Sequence, residues 1–485
     1  MKFNTLLKFG ARGNTTNFAG GAAFSQSPKN ELVSILLTAT LEDQFYRSGN
    51  ATMARVKQLV ADAADKEFVA KAAVYARTRA GMRSVSHLVA AELARSVKGA
   101  PWTRRFYDAV VHRPDDVLEI LACYLATYDR PIPNALKKGL GAALARFDEY
   151  QLGKYRRESA ELKLVDAVNL LHPPHSEPLR KLVRDELAPA ETWETKLTQA
   201  GAKAVDGATE DEVAELKSAA WDELIASRKL GYFALLRNLR NILEQAPQCV
   251  DAAIEMLIDE RLIRRSLVLP FRYLTAMEAV QSSKLPRASS VLTALGVAID
   301  TSLRNVPAFP GRTLVALDGS SSMSGRPLAI GSLFAAVLAK APYVAGNGHA
   351  DVMVFSNDAG GVILNYRDST LSLTRAIASA APMGGTNFHA IFQRATAAYD
   401  RIVILSDMQG WIGGNVPAAA FADYKRRTGA DPRVFSFDLA GYGTLQFPER
   451  NVFCLAGFSD KALQTMRFLE EDKDALIREI EAIQL

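Results

Sequence analysis

Cysteine is scarce in this sequence: the 485 residues include only three, Cys123, Cys249 and Cys454. They lie far apart, so they form neither the short spacing of a metal site nor an even disulfide set. Long apolar runs are also missing, because no window approaches the roughly 18 uninterrupted apolar residues of a membrane span. The N-terminus is basic but lacks a sustained apolar core and a small-residue cleavage site. These absences favour a protein of the reducing cytoplasm, with no membrane partner.

Two glycine-loop motifs for phosphate binding, G-x-G-x-x-G and G-x-x-x-x-G-K-[ST], are absent as well. Nucleotide binding through such loops is therefore not expected. A strong charge imbalance is also lacking, since the formal net charge is only +5. Residues 301–485 contain 17 cationic and 17 acidic residues, so the whole excess lies in residues 1–300. An anionic partner is predicted to bind that part of the chain.

The apolar pattern is helical up to about residue 300 and then changes, and a chain of this length and composition predicts more than one globular domain. Helices are predicted at residues 32–45, 51–64, 67–79, 85–96, 114–126, 132–147, 162–171, 178–187, 211–227, 232–243, 247–263, 270–280 and 286–299. Strands are predicted at residues 313–317, 351–355, 361–364, 401–405, 433–438 and 451–455. The boundary is placed between residues 304 and 305. The fold class is thus an all-α HEAT-like helical-repeat domain, residues 1–304, followed by a doubly wound α/β domain, residues 305–485.

Three separated segments of the α/β part carry oxygen-bearing side chains at predicted strand ends or turns. Asp318, Ser320 and Ser322 follow one strand, Thr386 follows a Gly-Gly turn, and Asp407 follows another strand. Because strand ends share one edge of such a sheet, these five side chains are expected to meet. Carboxylate and hydroxyl oxygens suit Mg²⁺, or Mn²⁺ as a second candidate. The alternative is that Asp318 and the two serines only cap the following helix and fill a polar turn.

Basic residues cluster in the helical part. Lys154, Arg156 and Arg157 join two predicted helices, and Lys137 and Lys138 lie one helix earlier. Adjacent cations at a helix junction can straddle a phosphate backbone, although such runs are often only solvated helix faces. His172 ends a helix before Pro173-Pro174, where a histidine is commonly a capping residue. Its position close to the basic junction makes it a further candidate for RNA binding.

The strand-end pattern resembles the metal-ion-dependent adhesion site of von Willebrand factor A (vWA) domains. Together with the helical part, it resembles the Ro ribonucleoprotein autoantigen family and its bacterial relatives, which combine a TROVE module with a vWA domain. The resemblance lies in the segments at residues 3–10, 42–46, 86–88, 230–239, 270–273, 317–323, 384–386 and 406–407.

This resemblance implies a helical ring closed by the vWA domain. It also implies Y-like non-coding RNA on the outer surface and single-stranded ends of misfolded or structured RNA in the central hole. The outer-surface contacts would be Lys154, Arg156, Arg157 and His172. Such a protein would act in RNA quality control or tether a nuclease, with a 3′ exoribonuclease or another acidic protein as partner at the metal site.

Two other functions compete with RNA binding. One is a protein-binding scaffold whose metal ion accepts a carboxylate of a partner and which binds little RNA. The other is a metal-dependent phosphoesterase, which needs a general base or a second metal. Because His349 and His389 are isolated in the sequence, neither requirement is met, and the protein is predicted not to be an enzyme.

Overall fold

The computed structural model describes residues 15–17, 19–23, 27–38, 49–156, 161–188, 197, 209–228, 230–307, 309–413, 416–439, 452–456, 463, 466–467 and 475–485. Arg157 and the motif segments at residues 3–10 and 42–46 lie outside these residues. The chain forms two compact units. The α/β unit contains Met1–Gly49, Ile258–Glu278 and Leu292–Leu476, and the helical unit contains Asn50–Leu257, Ala279–Val291 and Ile477–Leu485. The domain boundary between residues 304 and 305 stays a prediction.

Helices dominate the first three hundred residues, as the apolar period predicts. In chain order the described helices are α1 (Pro28–Thr38), α2 (Gly49–Asp62), α3 (Lys66–Thr78), α4 (Ser84–Leu93), α5 (Thr103–Val110), α6 (Pro114–Tyr128), α7 (Asn134–Leu144), α8 (Glu149–Tyr155), α9 (Leu164–Leu171), α10 (Glu177–Val183), α11 (Glu210–Ala226), α12 (Tyr232–Gln245), α13 (Val250–Ile258), α14 (Glu260–Ser266), α15 (Pro270–Ser283), α16 (Ala288–Ser302), α17 (Arg326–Ala345), α18 (Thr370–Ser379), α19 (Phe388–Arg394), α20 (Ala418–Thr428) and α21 (Ala475–Glu481).

Two short helices, α5 and α8, were not predicted, and one predicted helix is divided. The sequence predicts a single helix over 247–263, which is wrong because the Asp259 side chain accepts hydrogen bonds from the N–H groups of Arg261 and Leu262. Asp259 thus caps a new helix, α14, instead of continuing α13. Short helices such as α5 depend on packing against neighbours more than on their own propensity.

The helices of the helical unit pack against one another in sequence-local groups. Helix α4 contacts α3 and α6, while α5 contacts α3 and α7, and α7 also contacts α9. Helix α5 buries Phe106 and Tyr107 and leaves Arg104 exposed. Helix α5 approaches α7 closely at Gly139, where a Cβ atom would lie only 2.3 Å from the Tyr107 ring. Glycine has no Cβ and therefore permits this contact. This contact sets the position of Arg104 relative to α7.

A buried carboxylate connects three elements of the helical unit. Asp116 is fully buried and accepts hydrogen bonds from Arg77 at 2.9 Å, Arg83 at 2.8 Å and the N–H of His112 at 2.8 Å. Burial alone would raise the pKa of Asp116, but the hydrogen bond and charge of His87 and the other donors hold it well below the ordinary value. The network therefore stabilises the folded unit above the ordinary aspartate pKa, and that stabilisation is lost as pH falls toward the depressed value.

We expect Asp116→Ala to destabilise the helical unit by about 3–5 kcal/mol, because Arg77 would be left largely buried without its carboxylate acceptor, while Arg83 would keep only Asp115 and Glu119. Chemical denaturation followed by circular dichroism measures the change. The control is Asp108→Ala, whose exposed carboxylate pairs with Arg146 and is expected to cost less than about 1 kcal/mol. Equal losses for the two variants would contradict this account of the network.

Eight strands are present in the described residues. They are β1 (Thr15–Thr16), β2 (Ala22–Ala23), β3 (Gly311–Asp318), β4 (Gly348–Phe355), β5 (Ala359–Val362), β6 (Arg401–Ser406), β7 (Arg433–Asp438) and β8 (Val452–Ala456). The last six form one sheet in the order β5-β4-β3-β6-β7-β8. All neighbours are parallel except β4 and β5, which are antiparallel. The predicted α/β sheet with its mainly parallel strands is therefore present.

Both faces of this sheet are covered. Along β3, Val315 and Leu317 join a core with α17, whereas Leu314 and Ala316 join a second core with α19 and α20. By length and composition α17 would also suit a membrane, but 67% of its apolar window is buried within the unit. Its apolar character is that of a helix covering a parallel sheet.

Candidate functional sites

The three segments predicted to hold a metal ion meet at the carboxyl edge of the sheet. Strands β3 and β6 are direct neighbours, so Asp318 at the end of β3 lies beside Ser406 at the end of β6. The Met383 N–H donates to the Gly319 carbonyl at 2.8 Å, and the Ser321 N–H donates to the Gly384 carbonyl at 2.9 Å. These bonds bring the turn that carries Thr386 to the loop that carries Ser320 and Ser322.

The two carboxylates of this edge are buried. Asp318 accepts hydrogen bonds from the Ser406 hydroxyl at 2.6 Å and the Ser320 N–H at 2.9 Å. Asp407 accepts from the Gln409 N–H at 3.1 Å, but its Oδ2 is buried and has no partner among the described residues. Burial and the nearby charge of Asp407 raise the pKa of Asp318, and burial raises that of Asp407. A cation between them would remove this cost.

The hydroxyls complete a set of oxygen donors. Ser320 Oγ and Ser322 Oγ lie 3.2 Å apart, and the nearby Ser322 hydroxyl partly offsets the effect of burial on the pKa of Asp407. Thr386 is 2% exposed, and its carbonyl accepts from the N–H groups of Trp411 and Ile412. The described residues contain no cluster of three or more His, Cys, Asp or Glu side chains suited to a metal, so a metal here would depend on hydroxyls. Oxygen donors around an unpaired carboxylate oxygen fit Mg²⁺.

A residue that the sequence did not reveal supports this edge. Asn17, in the turn between β1 and β2, donates from Nδ2 to the Gly410 carbonyl at 2.7 Å. Its Oδ1 accepts from the N–H of Gly21 at 2.8 Å, and a Cβ at Gly21 would lie 2.0 Å from the Gly410 oxygen. The hairpin thus packs closely on the segment that follows Asp407. The sequence alone does not reveal this contact, because Asn17 and Gly410 are 393 residues apart in the chain.

We expect the stabilisation by Mg²⁺ to be larger at about pH 8 than at about pH 5, because protons compete with the metal for carboxylates of raised pKa. In metal-free protein Asp318 and Asp407 bind protons more tightly in the folded state than in the unfolded state. Their contribution to the free energy of unfolding therefore falls as pH rises through their raised pKa values. Thermal unfolding with Mg²⁺ and with EDTA at both pH values measures the difference. An equal Mg²⁺ shift at both pH values would contradict the prediction.

Three of the predicted RNA-binding residues line one cavity of the helical unit. Lys137 and Lys138 on α7 and His172 after α9 surround a volume of about 610 Å³. Asn134 and Arg104 also line it, and Arg104 was missed because α5 was not predicted. His172 ends α9 with a left-handed backbone, φ 49°, so the prediction that it terminates this helix is confirmed.

The charge around this cavity is all of one sign. Its lining contains Arg104, Lys137, Lys138 and His172 and no acidic residue. Among the described residues none of these four side chains forms an ion pair, in contrast to Arg146, which is bound to Asp108. Unneutralised lysine and arginine side chains around a concavity attract a phosphate backbone. The cavity therefore has the electrostatics of an anion-binding surface.

Lys154 and Arg156 are not among the residues that line this cavity. Lys154 is exposed at the end of α8, with its Nζ 5.8 Å from the centre of the Tyr155 ring. Arg156 forms an ion pair with Asp185 at 2.5 Å. The Arg113 guanidinium also lies over the Tyr155 ring, at 5.1 Å, so this ring already has cationic neighbours. The predicted basic set is thus divided between the cavity and the end of α8.

Comparisons with known proteins agree with this architecture. The TROVE domain matches residues 29–186 and 181–304, and the Ro60 vWA domain matches residues 312–469. Telomerase protein component 1 is 24% identical over 306 residues in both Rattus norvegicus and Mus musculus. Each alignment covers 44% of this chain and 11% of that protein, so the chain spans only a small part of the length of these relatives.

The crystal structure of the Deinococcus radiodurans RO (RSR) protein has a similar fold. It aligns with a TM-score of 0.65 and 20% identity, covering 91% of this chain and 99% of that one. At this identity the likeness concerns the fold. It confirms the predicted fold class, a helical-repeat region followed by an α/β vWA domain.

Proposed function

Because the chain belongs to the TROVE-domain family and carries a Ro60-type vWA domain, we propose that it binds Y-like non-coding RNA through its helical unit. Membership of this family implies an RNA-binding component of a ribonucleoprotein. Single-stranded ends of misfolded or structured RNA would enter a central hole, as the Ro resemblance implies. The protein would act in RNA quality control or as a tether for a nuclease, in the cytoplasm.

The observation that carries this proposal is the acid-free cationic lining of the cavity between α5, α7 and the end of α9. Lys137 and Lys138 neutralise phosphates, Arg104 adds a third cation, and His172 lines the same cavity. Lys154, exposed at the end of α8, adds a further phosphate contact on the same unit. Contacts of this kind position a stem by its backbone and shape and do not read its sequence.

The proposed metal ion is Mg²⁺, held by Asp318, Ser320, Ser322, Thr386 and Asp407. When bound, it would supply positive charge to the buried carboxylates and a coordination position for an acidic group of a partner. Asp318 and Asp407 provide the charge, while Ser406 and Ser320 orient Asp318 through their hydrogen bonds. We propose no bond-making chemistry here. The partner would be a 3′ exoribonuclease or another protein with an exposed carboxylate.

Binding of a stem-loop RNA and of a 3′ single-stranded RNA across a range of salt concentrations tests this function. Log affinity falls linearly with log salt concentration. Each phosphate contact adds about 0.9 to the magnitude of this slope for a duplex and about 0.7 for a single strand. Lys137, Lys138, Arg104 and Lys154 together predict a slope of about 3–4 for the stem-loop. Binding that ignores salt, or no binding at about 50 mM salt, would contradict the proposal.

The competing function is a metal-dependent protein scaffold with little RNA binding. The unpaired Oδ2 of Asp407 favours it, because this atom needs a cation and not a nucleic acid. The two functions predict different losses: Asp318→Ala would abolish capture of an acidic partner, whereas Lys137→Ala with Lys138→Ala would weaken RNA binding and leave partner capture unchanged. The protein would be a scaffold alone if purified material retains Mg²⁺-dependent partner binding but binds no RNA.

A further inference from the structure

The turn that follows Asp407 is tight and buried. Residues 407–410 are all buried, and Met408 has a left-handed backbone, φ 60°. The Met408 N–H donates to the Ser406 hydroxyl at 3.0 Å. The Gln409 N–H donates to Asp407 Oδ1 at 3.1 Å, and the Gln409 side-chain amide donates to the Asp407 carbonyl at 3.2 Å. The turn therefore engages one carboxylate oxygen of Asp407 and directs the other, Oδ2, to the proposed metal.

The β1–β2 hairpin holds the far end of this turn. The buried Gly410 carbonyl accepts from Asn17 Nδ2 at 2.7 Å, and Asn17 itself is only 5% exposed. The other half of the same amide serves the hairpin, because Asn17 Oδ1 accepts from the N–H groups of Ala19 at 3.1 Å and Gly21 at 2.8 Å. A Cβ at Gly21 would clash with the Gly410 oxygen and lie 2.8 Å from the Trp411 Cα. One side chain thus joins the hairpin to the turn.

Beyond Gly410 the same segment contacts a second predicted metal ligand. The N–H groups of Trp411 and Ile412 both donate to the Thr386 carbonyl at 3.2 Å. A Cβ at Gly385 would lie 2.6 Å from the Trp411 ring, so this ring packs directly on the Gly-Gly-Thr turn. The hairpin therefore supports a segment that begins at one predicted ligand, Asp407, and is bonded to another, Thr386.

We propose that Asn17 is a positioning residue of the metal site. Through the Gly410 carbonyl it holds the turn in the shape that keeps Asp407 Oδ2 open to the cation. The inference rests on the proposed Mg²⁺ site and adds its outer support. Groups that orient the ligands of a metal typically strengthen metal binding about 10- to 100-fold. Asn17 acts one step further out, so we expect the lower value.

The coupling between the hairpin and the metal is reciprocal. If the docked hairpin strengthens Mg²⁺ binding by some factor, bound Mg²⁺ must favour the docked hairpin by the same factor. Mg²⁺ would therefore hold β1 and β2 in place, although none of the five predicted ligands lies on them. This consequence separates positioning from a hairpin that is only packed against the sheet edge.

The two halves of the Asn17 amide allow its two roles to be separated. Asn17→Asp keeps oxygens that accept from the hairpin N–H groups and removes the donor to Gly410. The added negative charge would by itself attract Mg²⁺, so weaker Mg²⁺ binding by this variant reports the lost hydrogen bond. The control Asn30→Asp adds the same charge at an exposed position of α1, in the same N-terminal segment.

Isothermal titration of the full chain with Mg²⁺ measures the effect on affinity. Asn17→Asp should bind Mg²⁺ about tenfold more weakly than the wild type, and Asn30→Asp should stay within about twofold. A merely structural role would lower the melting temperature in EDTA and leave the Kd for Mg²⁺ unchanged. An equal Kd for the wild type and Asn17→Asp would overturn the inference and leave the metal site intact. No Mg²⁺ binding by the wild type would instead overturn the metal site itself.

Hydrogen exchange of the wild type tests the reciprocal effect and needs no variant, so the inference stays testable if Asn17→Asp does not fold. Mass spectrometry compares residues 15–23 in EDTA and in saturating Mg²⁺, with α1 as the reference segment of the same unit. The N–H groups of Asn17, Gly20 and Gly21 are bonded within the hairpin. Their exchange should slow by about tenfold relative to α1 when Mg²⁺ binds. Protection of residues 406–412 without any change in the hairpin would overturn the inference.

Discussion

The combined variant Lys137→Ala, Lys138→Ala and Lys154→Ala is expected to bind stem-loop RNA about 100-fold more weakly than the wild type at about 0.1 M salt. The three side chains are cationic, partly or fully exposed, and without an acidic partner in the described structure. Each phosphate contact that is lost also lowers the slope of log affinity against log salt, so the slope should fall by about 2–3. Fluorescence anisotropy across a salt series measures both quantities.

The control for this variant removes surface cations from the other unit. Arg367→Ala with Arg375→Ala changes two exposed arginines of the α/β unit and should leave affinity within about twofold, since neither side chain lines the cavity. Arg156→Ala is a second comparison, because its ion pair with Asp185 leaves less charge for phosphate. An equal loss in the α/β control would show that binding follows net charge and not the basic cavity.

Asp318→Asn is expected to have opposite effects on the metal-free and metal-bound protein. Without metal, two buried carboxylates oppose each other, and neutralising one should stabilise the α/β unit by roughly 1–3 kcal/mol at about pH 8. An asparagine can still accept from the Ser320 N–H. With saturating Mg²⁺ the wild type gains about 2.7 kcal/mol at 100 times its Kd, and the variant should gain none. Thermal unfolding of the wild type and the variant, each in EDTA and in Mg²⁺, gives the four stabilities to be compared.

Asp423→Asn is the matched control, because its carboxylate lies on the surface beside Arg426 and should alter neither value by more than about 0.5 kcal/mol. A metal-free Asp318→Asn protein that is less stable than the wild type would contradict the charge account of this edge. An undiminished Mg²⁺ response in the variant would place the metal elsewhere.

The metal edge could be predicted because its signals are local. A buried strand that ends in an acid and is followed by hydroxyls predicts both the strand and the polar loop. Strands β3 and β7 lie where expected, and β7 matches the predicted residues 433–438 in both of its bounds. The meeting of Asp318, Thr386 and Asp407 follows from the topology of parallel sheets. The metal itself stays a prediction, as does its identity.

The basic cavity could be predicted only in part. Lys137, Lys138 and His172 were identified from clustering, but Arg104 required helix α5, which holds its place through Tyr107 packing on Gly139. The ion pair between Arg156 and Asp185 and the Asn17 bond to Gly410 also join segments far apart in the sequence. Contacts of this kind are set by tertiary packing, which a helical or strand period does not encode.

Crosslinking tests the central claim most directly. The full chain is irradiated with a photoreactive stem-loop RNA at about 0.1 M salt, digested, and the crosslinked peptides are identified by mass spectrometry. Our account predicts crosslinks in residues 134–142 and 171–174, the two segments that line the basic cavity together with Arg104. Crosslinks confined to the α/β unit, or spread evenly over the surface, would contradict it.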